Sequence, residues 1–113
     1  MRPEVLDYEL LVKARDWLSD RKHWIKNALF RGETIEVADA TCALGALGKV
    51  MGTEEYDVIQ SSHAYTLLVA ALPKGNDDVP SYNDAQANHR GILGLFARAI
   101  KKAKELATAP LKR

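Results

Sequence analysis

The chain has very few of the residues that mark secreted, membrane-spanning or metal-binding proteins. Among its 113 residues there is one cysteine, Cys42. No disulfide can form within the chain, so we expect a reducing compartment, the cytoplasm. No stretch approaches the roughly 18 consecutive apolar residues of a membrane span, and no apolar run follows residues 1–4. We therefore expect neither a membrane segment nor a signal peptide.

Motifs for metals and cofactors are also missing from the sequence. The cysteine and the three histidines, His23, His63 and His89, lack the paired-ligand spacing of a zinc site. The run Asn76-Asp77-Asp78 lacks the spacing and the terminal glutamate of a calcium loop. There is no Walker loop, dinucleotide fingerprint or Gly-x-Ser-x-Gly motif. We therefore expect no metal and no cofactor.

The remaining composition is that of an ordinary globular domain. Hydrophobic residues make up 47% of the chain and charged residues 27%, which are common values for soluble proteins. A chain of this length can bury a core without disulfides or metals. We predict one all-α domain over residues 1–113. It is a bundle of about four main helices around a central small-residue helix, with a loop at 73–83 and a short basic tail at 109–113.

The central helix is predicted around Thr41–Met51, the most helix-periodic run of the sequence. Asp39 is the predicted N-cap, and Gly52 is suited to a left-handed residue that ends the helix. A second face of this helix carries Cys42 and several small residues. Small residues let another backbone or a ligand approach closely, so we expect cover on two sides. The cover is either tight helix packing or a small-walled pocket beside Cys42.

Two further helices follow from apolar periodicity on either side of the central one. The first is predicted to begin at Asp7, which would cap it, and to end near Asp20–His23. Residues 33–37 are predicted to form a short extended piece or the lead-in to the central helix. After Gly52, Thr53 is the predicted cap of a helix that runs unbroken to about Leu72. The breaker residues of 73–81 then predict a loop.

The last helix is predicted to start between Asp84 and Asn88 and to run to about Thr108. Its apolar positions recur at the 3.6-residue period. His89 precedes three of these positions by three, four and seven residues. We therefore expect His89 in the first turn of the helix, on the side that faces the core.

Four polar residues are candidates for chemistry: Cys42, His89, Asn83 and Asp84. A cysteine in the first turn of a helix has a favoured thiolate, which would make Cys42 a nucleophile. His89 could serve as its base, oriented by Asn83 or Asp84. In the alternative interpretation, Cys42 is a small buried hydrophobe, His89 is a hydrogen-bonded core residue, and Asn83 or Asp84 caps a helix. The leading hypothesis is this second one, a non-enzymatic binding or interaction protein.

Charge is distributed unevenly along the chain, although the net charge is only +1. Residues 33–89 contain two basic and nine acidic residues, a net charge of −7, whereas residues 90–113 contain seven basic and one acidic, a net charge of +6. The two regions would attract each other within one fold or between two copies, so a homodimer is one expectation and another protein partner is the alternative. Nucleic-acid binding through the basic last helix is a third, less favoured hypothesis.

Three short elements resemble a small family of uncharacterised proteins from actinobacteria and their phages. The elements are Cys42-Ala43-Leu44-Gly45-Ala46-Leu47, the triplet Tyr82-Asn83-Asp84, and His89 followed by Ile92, Phe96 and Ala99. The family has a C-A-x-G-A-L helix, a (W/Y)-N-D element and a final amphipathic helix led by His. The likeness extends from the first helix to about Ala107. It implies a cytoplasmic bacterial or phage protein and gives no activity.

Overall fold

The computed structural model describes residues 3–108, and within this range the chain is mostly helical. The α-helices are α1 (Pro3–Leu18), α2 (Ala43–Met51), α3 (Tyr56–Gln60), α4 (His63–Ala70), α5 (Val79–Ala85) and α6 (Arg90–Thr108). A 3-10 turn, Arg21–His23, and two short strands, β1 (Phe30–Arg31) and β2 (Ala40–Thr41), complete the fold. The predicted helical character is confirmed, but six helices and a small sheet replace about four helices. The predicted tail at 109–113 lies outside the described residues.

The apolar core lies between α1 and α6, which pack along each other. Leu11, Ala14 and Leu18 of α1 are fully buried. On α6, the fully buried side chains are those of Ile92, Leu95, Phe96, Ala99 and Ala103. These positions recur at the helical period, so each helix presents one apolar stripe to the other. Helix α1 also contacts α2 and α4, which extends the same core.

The N-terminus of α2 lies further along the chain than predicted. Its N-cap is Cys42, not Asp39. Ala40 and Thr41 are extended because they pair with Arg31 and Phe30 in an antiparallel sheet. Asp39 instead accepts a hydrogen bond from Arg31 Nε at 2.9 Å. The predicted C-terminus is confirmed, since Gly52 has a φ of 80°.

Helix α2 is covered on two sides, as the small residues predicted. A Cβ on Gly45 would lie 1.9 Å from the carbonyl oxygen of Leu29. A Cβ on Gly48 would lie 2.5 Å from Ile59 Cδ1 and 2.7 Å from the carbonyl oxygen of Thr53. Only glycine permits these approaches without a shift of the neighbouring chain. The close contact with Leu29 brings an irregular segment directly onto α2.

We call residues 24–42 the anchored segment, because a few polar side chains hold it against the helices. It contains β1 and β2 and the turn that joins them, so the extended piece expected at 33–37 is part of a hairpin loop. Lys49 Nζ donates to the carbonyl oxygens of Ile35 and Glu36 at 3.1 and 2.8 Å. These bonds fix the hairpin loop to α2.

The long helix predicted over 53–72 is two helices, α3 and α4. Helix α3 begins only at Tyr56, because Thr53 Oγ1 accepts from the backbone N–H of Glu55 in a local turn. The helix is interrupted at Ser62. The Ser62 hydroxyl donates to the carbonyl oxygen of Ile59 and accepts from the N–H of Tyr65. A serine that satisfies both backbone ends competes with the continuous helix.

The loop predicted at 73–83 is partly helical, because α5 occupies Val79–Ala85. Asp78 caps it by accepting from the N–H and the hydroxyl of Ser81, at 2.8 and 3.0 Å. Pro80 in the first turn is compatible with this start, since proline lacks only an N–H that would have no helical partner there.

The first and last helices also begin at other residues than predicted. Helix α1 begins at Pro3, so Asp7 is inside it and not its cap. The carboxylate of Asp7 is buried and accepts a hydrogen bond from His63 Nδ1. Helix α6 begins at Arg90, and His89 precedes it in a turn. The predicted C-terminus of the last helix, Thr108, is confirmed.

Candidate functional site

Asn83 connects three parts of the molecule through one carboxamide. It lies on α5 and is fully buried. Its Oδ1 accepts from Trp24 Nε1 at 2.7 Å and from the backbone N–H of Ala43 at 3.0 Å. Its Nδ2 donates to the carbonyl oxygen of Ile25 and to Asp84 Oδ1, both at 3.1 Å. A carboxamide has two donors and two acceptor positions, and all four are used here.

Asp84 extends this network to the surface. Its Oδ1 also accepts from the backbone N–H of Asn27 at 2.8 Å. Asn27 has a φ of 66°, in the left-handed region that asparagine tolerates better than most residues. All the hydrogen bonds that the described residues make to this carboxylate go to Oδ1. Its Oδ2 is therefore left for another group.

Cys42 lies at the junction of the anchored segment and α2 and is 4% exposed. Its N–H donates to the carbonyl oxygen of Leu29 at 3.1 Å, and its Sγ accepts from the N–H of Gly45 at 3.3 Å. Burial raises the pKa of the Cys42 thiol, and the hydrogen bonds from backbone amides of α2 oppose this only in part. The negative charge of Asp84 raises it further. The pKa thus moves in the direction opposite to the activation that the helix N-terminus predicted.

His89 occupies a different position from the other three candidates. It is half-buried in the turn before α6, and its carbonyl oxygen accepts from the N–H of Leu93 at 2.9 Å. The neighbouring Asn88 accepts from the N–H of Arg90 with its side chain. His89 does not line the cavity described next. The structure thus brings together Cys42, Asn83 and Asp84 and leaves His89 out, and a catalytic role for these residues stays a prediction.

A cavity of about 310 Å³ lies beside Cys42. We call it the Cys42 pocket, and its lining residues are Asn27, Ala28, Leu29, Cys42, Tyr56, Pro80 and Asp84. Its size is at the lower end of the range for small-molecule sites. The anchored segment, up to the α2 N-cap Cys42, forms the wall together with α3 and α5. The pocket that the small residues of α2 suggested is therefore present together with the tight packing of Gly45.

The surroundings of the Cys42 pocket are electrostatically negative. Burial raises the pKa of Tyr56, and the groups that add to the effect include the carboxylates of Asp78 and Asp84. Lys26 is the closest basic residue in sequence to the wall, and its Nζ donates to the carbonyl oxygen of Gln86 at 2.7 Å. None of the ion pairs among the described residues includes Asp84.

The sequence pattern did not indicate most of the lining and anchoring residues, among them Trp24, Asn27 and Tyr56. Trp24 and Asn27 belong to a stretch without periodicity, and nothing local shows that their partners lie 57 to 59 residues away. Tyr56 lies in the stretch predicted as one long helix over 53–72, whereas in the structure it begins α3 and is 44% exposed. The pair Ser61-Ser62 was the sequence signal that this helix is interrupted, because serine favours helix caps.

Other kinds of site have no counterpart in the described part of the chain. Among residues 3–108, no group of three or more His, Cys, Asp or Glu side chains is placed to hold a metal ion. No helix in that range is long and apolar enough to cross a membrane. Five basic side chains are exposed on α6, those of Arg90, Arg98, Lys101, Lys102 and Lys104. Arg98 Nε donates to the carbonyl oxygen of Ala71.

Comparison with known protein families places the chain in one of them. The profile of a family of unknown function, DUF6197, matches residues 2–102. The chain belongs to this family. No curated protein and no solved structure matches it. The match spans the Cys42 pocket and the Asn83 network, and it confirms the resemblance to an uncharacterised family. The actinobacterial or phage origin and the shared motifs stay predictions.

Proposed function

We propose that the protein is a non-enzymatic binding module whose binding site is the Cys42 pocket. The observation that carries this proposal is the difference between the hydrogen bonds of Asn83 and those of Asp84. Asn83 uses all four hydrogen-bonding positions to hold the wall. Asp84 uses one oxygen for the same purpose and has a second oxygen without a partner among the described residues. The wall is built from the chain itself, and one polar group remains for a ligand.

The competing hypothesis is a thiol-dependent hydrolase or transferase with Cys42 as nucleophile and His89 as base. It needs a thiol whose pKa is lowered and a base within hydrogen-bond reach. Burial instead raises the pKa of Cys42. The sulfur accepts from Gly45, and His89 is absent from the lining. These observations favour binding over catalysis.

The rate of Cys42 alkylation against pH tests the two hypotheses. A raised thiol pKa predicts that the native protein reacts with a midpoint above the ordinary value of about 8.5. The His89→Ala variant should follow the same curve, with His63→Ala as the control histidine. The same raised pKa predicts that stability is constant below about pH 8.5 and falls as the pH rises from there to the folded-state pKa. A midpoint below about 8.5 that rises in the His89→Ala variant would favour the thiol-dependent enzyme over the binding module.

The proposed cellular location and oligomeric state rest on the sequence. The single cysteine and the resemblance to bacterial and phage proteins support action in a bacterial cytoplasm. The acidic middle and the basic end support association of two copies. Sedimentation equilibrium should give twice the chain mass of 12.5 kDa at low salt, with dissociation as salt increases. A monomer at all salt concentrations would leave another protein as the partner.

A further inference from the structure

The free oxygen of Asp84 gives the Cys42 pocket a definite chemical preference. Asp84 lines the pocket, and its Oδ1 already holds Asn27 and Asn83. The Oδ2 atom accepts no hydrogen bond from the described residues. An ionised carboxylate accepts hydrogen bonds and donates none. A ligand group that binds at Oδ2 must therefore be a donor.

Among the described residues, no basic side chain forms an ion pair with this carboxylate. Lys26 donates to the backbone of Gln86 instead, and the described ion pairs lie elsewhere. Asp78 adds a second negative charge, because it acts with Asp84 on the hydroxyl of Tyr56. A cationic donor gains from both charges, whereas a neutral donor gains only the hydrogen bond.

The remaining wall of the pocket suits an organic cation better than a metal ion. A divalent metal ion needs several oxygen ligands, and no group of three candidate ligands exists among the described residues. The other lining residues include the aromatic Tyr56 and the apolar Ala28, Leu29 and Pro80, beside Asn27 and Cys42. Aromatic faces attract organic cations, and apolar surfaces accept their stems.

Resting on the proposed function of the pocket, we propose that its ligand is a small organic monocation. The cation is a primary ammonium or guanidinium group on a short apolar stem. Its charged end pairs with Asp84 Oδ2, and its stem lies beside Tyr56 and Pro80. The same chemistry is available from a free amine and from a lysine or arginine side chain.

Three ligands of matched shape and different charge test this assignment. Benzylammonium, benzyl alcohol and benzoate are titrated into the full chain, and the backbone amide signals of Asn27, Cys42 and Asp84 are followed by NMR. We expect benzylammonium to bind at least tenfold more tightly than benzyl alcohol, and benzoate not to bind. A lysine tripeptide with blocked termini is a fourth probe. If the tripeptide binds, the cation can be a side chain of a partner protein. If benzylammonium binds and the tripeptide does not, the ligand is a free amine.

Two variants in the pocket and one control outside it separate the effect of charge from that of the wall. Asp84→Asn keeps the oxygen that Asn27 and Asn83 use and removes the charge, so the preference for benzylammonium should fall about tenfold. Glu9→Gln removes an equal charge from an exposed position of α1, which does not line the pocket, and should change nothing. Tyr56→Leu, at a surface position, should weaken the binding of benzylammonium more than the binding of benzyl alcohol.

The outcomes distinguish this inference from the proposed function on which it rests. If benzyl alcohol shifts the pocket signals and binds as tightly as benzylammonium, the pocket is a binding site and the cation assignment is wrong. If benzoate binds best, the assignment is also wrong. If none of the three ligands shifts the pocket signals, the Cys42 pocket is not the binding site and the proposed function fails with it.

Discussion

The α1–α6 core and the anchored segment are held in place by different kinds of interaction. Between α1 and α6, fully buried apolar side chains such as Leu11 and Phe96 form a continuous contact. The anchored segment has two-residue strands and depends on side chains of α5 and α2, chiefly Asn83 and Lys49. Burial is non-directional and spread over many residues, whereas hydrogen bonds are directional and concentrated in a few. In the α1–α6 core, the loss of stability should therefore be spread over substitutions at many positions. In the anchored segment, it should be concentrated in substitutions at a few positions.

The largest effect is expected in the core. Phe96→Ala removes a fully buried aromatic ring and should lower the free energy of unfolding by about 3–5 kcal/mol. Urea denaturation measures the change. Leu93→Ala, at a half-buried position of the same helix, is the control and should cost clearly less. Equal losses for the two variants would show that the core is not organised around Phe96.

Asn83→Ala should have the next largest effect, although it removes only a few atoms. It leaves Trp24 Nε1, the N–H of Ala43 and the carbonyl oxygen of Ile25 without their partner. A buried unpaired group costs about 1–3 kcal/mol, so a loss of about 3 kcal/mol is expected. Tryptophan fluorescence should also shift as the environment of Trp24 changes.

Asn76→Ala is the matched control for Asn83→Ala. Asn76 is exposed and donates only to the carbonyl oxygen of Pro73. Its replacement should leave both the urea midpoint and the fluorescence unchanged. A loss below about 1 kcal/mol for Asn83→Ala would mean that the anchored segment is held mainly by its apolar contacts, and the contrast between the two regions would disappear.

Gly45→Ala should destabilise the protein by about 1–3 kcal/mol, because its Cβ would lie 1.9 Å from the carbonyl oxygen of Leu29. Gly94→Ala on α6 is the matched control. Its Cβ would meet only the guanidinium of Arg98, at 3.5 Å. That substitution should stabilise the helix by up to about 1 kcal/mol, since alanine is the better helix former. Thermal unfolding of the two variants should therefore shift in opposite directions.

The smallest effect is expected at the exposed end of the anchored segment. Arg31 forms an exposed ion pair with Asp39, and its hydrogen bond lowers the pKa of that carboxyl group. The lowered pKa contributes stability above the unfolded-state value of about 3.9, which is lost as the pH falls below it. Solvent screens the pair, so Arg31→Ala should leave the thermal midpoint at pH 7 unchanged. A clear decrease would mean that the hairpin depends on this pair.

The sequence predicted the apolar region much better than the polar one. The stripes of α1 and α6 recur at the helical period, so both helices were predicted, with the end of α6 at Thr108. The anchored segment has no period, and Asn83 and Asp84, which hold it, lie 57 to 59 residues away along the chain. The sequence also predicted Cys42, Asn83 and Asp84 as candidates, but placed His89 with them because a wrong start was assigned to α6.

Some errors had a local signal and were avoidable. Asp78, Pro80 and Ser81 form a helix-start pattern, in which a side-chain cap precedes a proline in the first turn. For Asp7, no local signal indicated that the helix begins before it. Its acidic side chain before an apolar run is typical of a cap, and only the distant His63 shows why it is buried within α1.

The position of Asn83 also bears on the order in which the molecule assembles. Three of its hydrogen bonds, those with Trp24, Ile25 and Ala43, connect chain segments that a folding polypeptide must first bring together by closing long loops. Helices such as α1 and α6 form from neighbouring residues, whereas the Asn83 contacts require α2 and α5 to be already in place. We expect these bonds to form after the folding transition state. They would then govern how long the native state lasts before it unfolds, and hardly how fast it is reached.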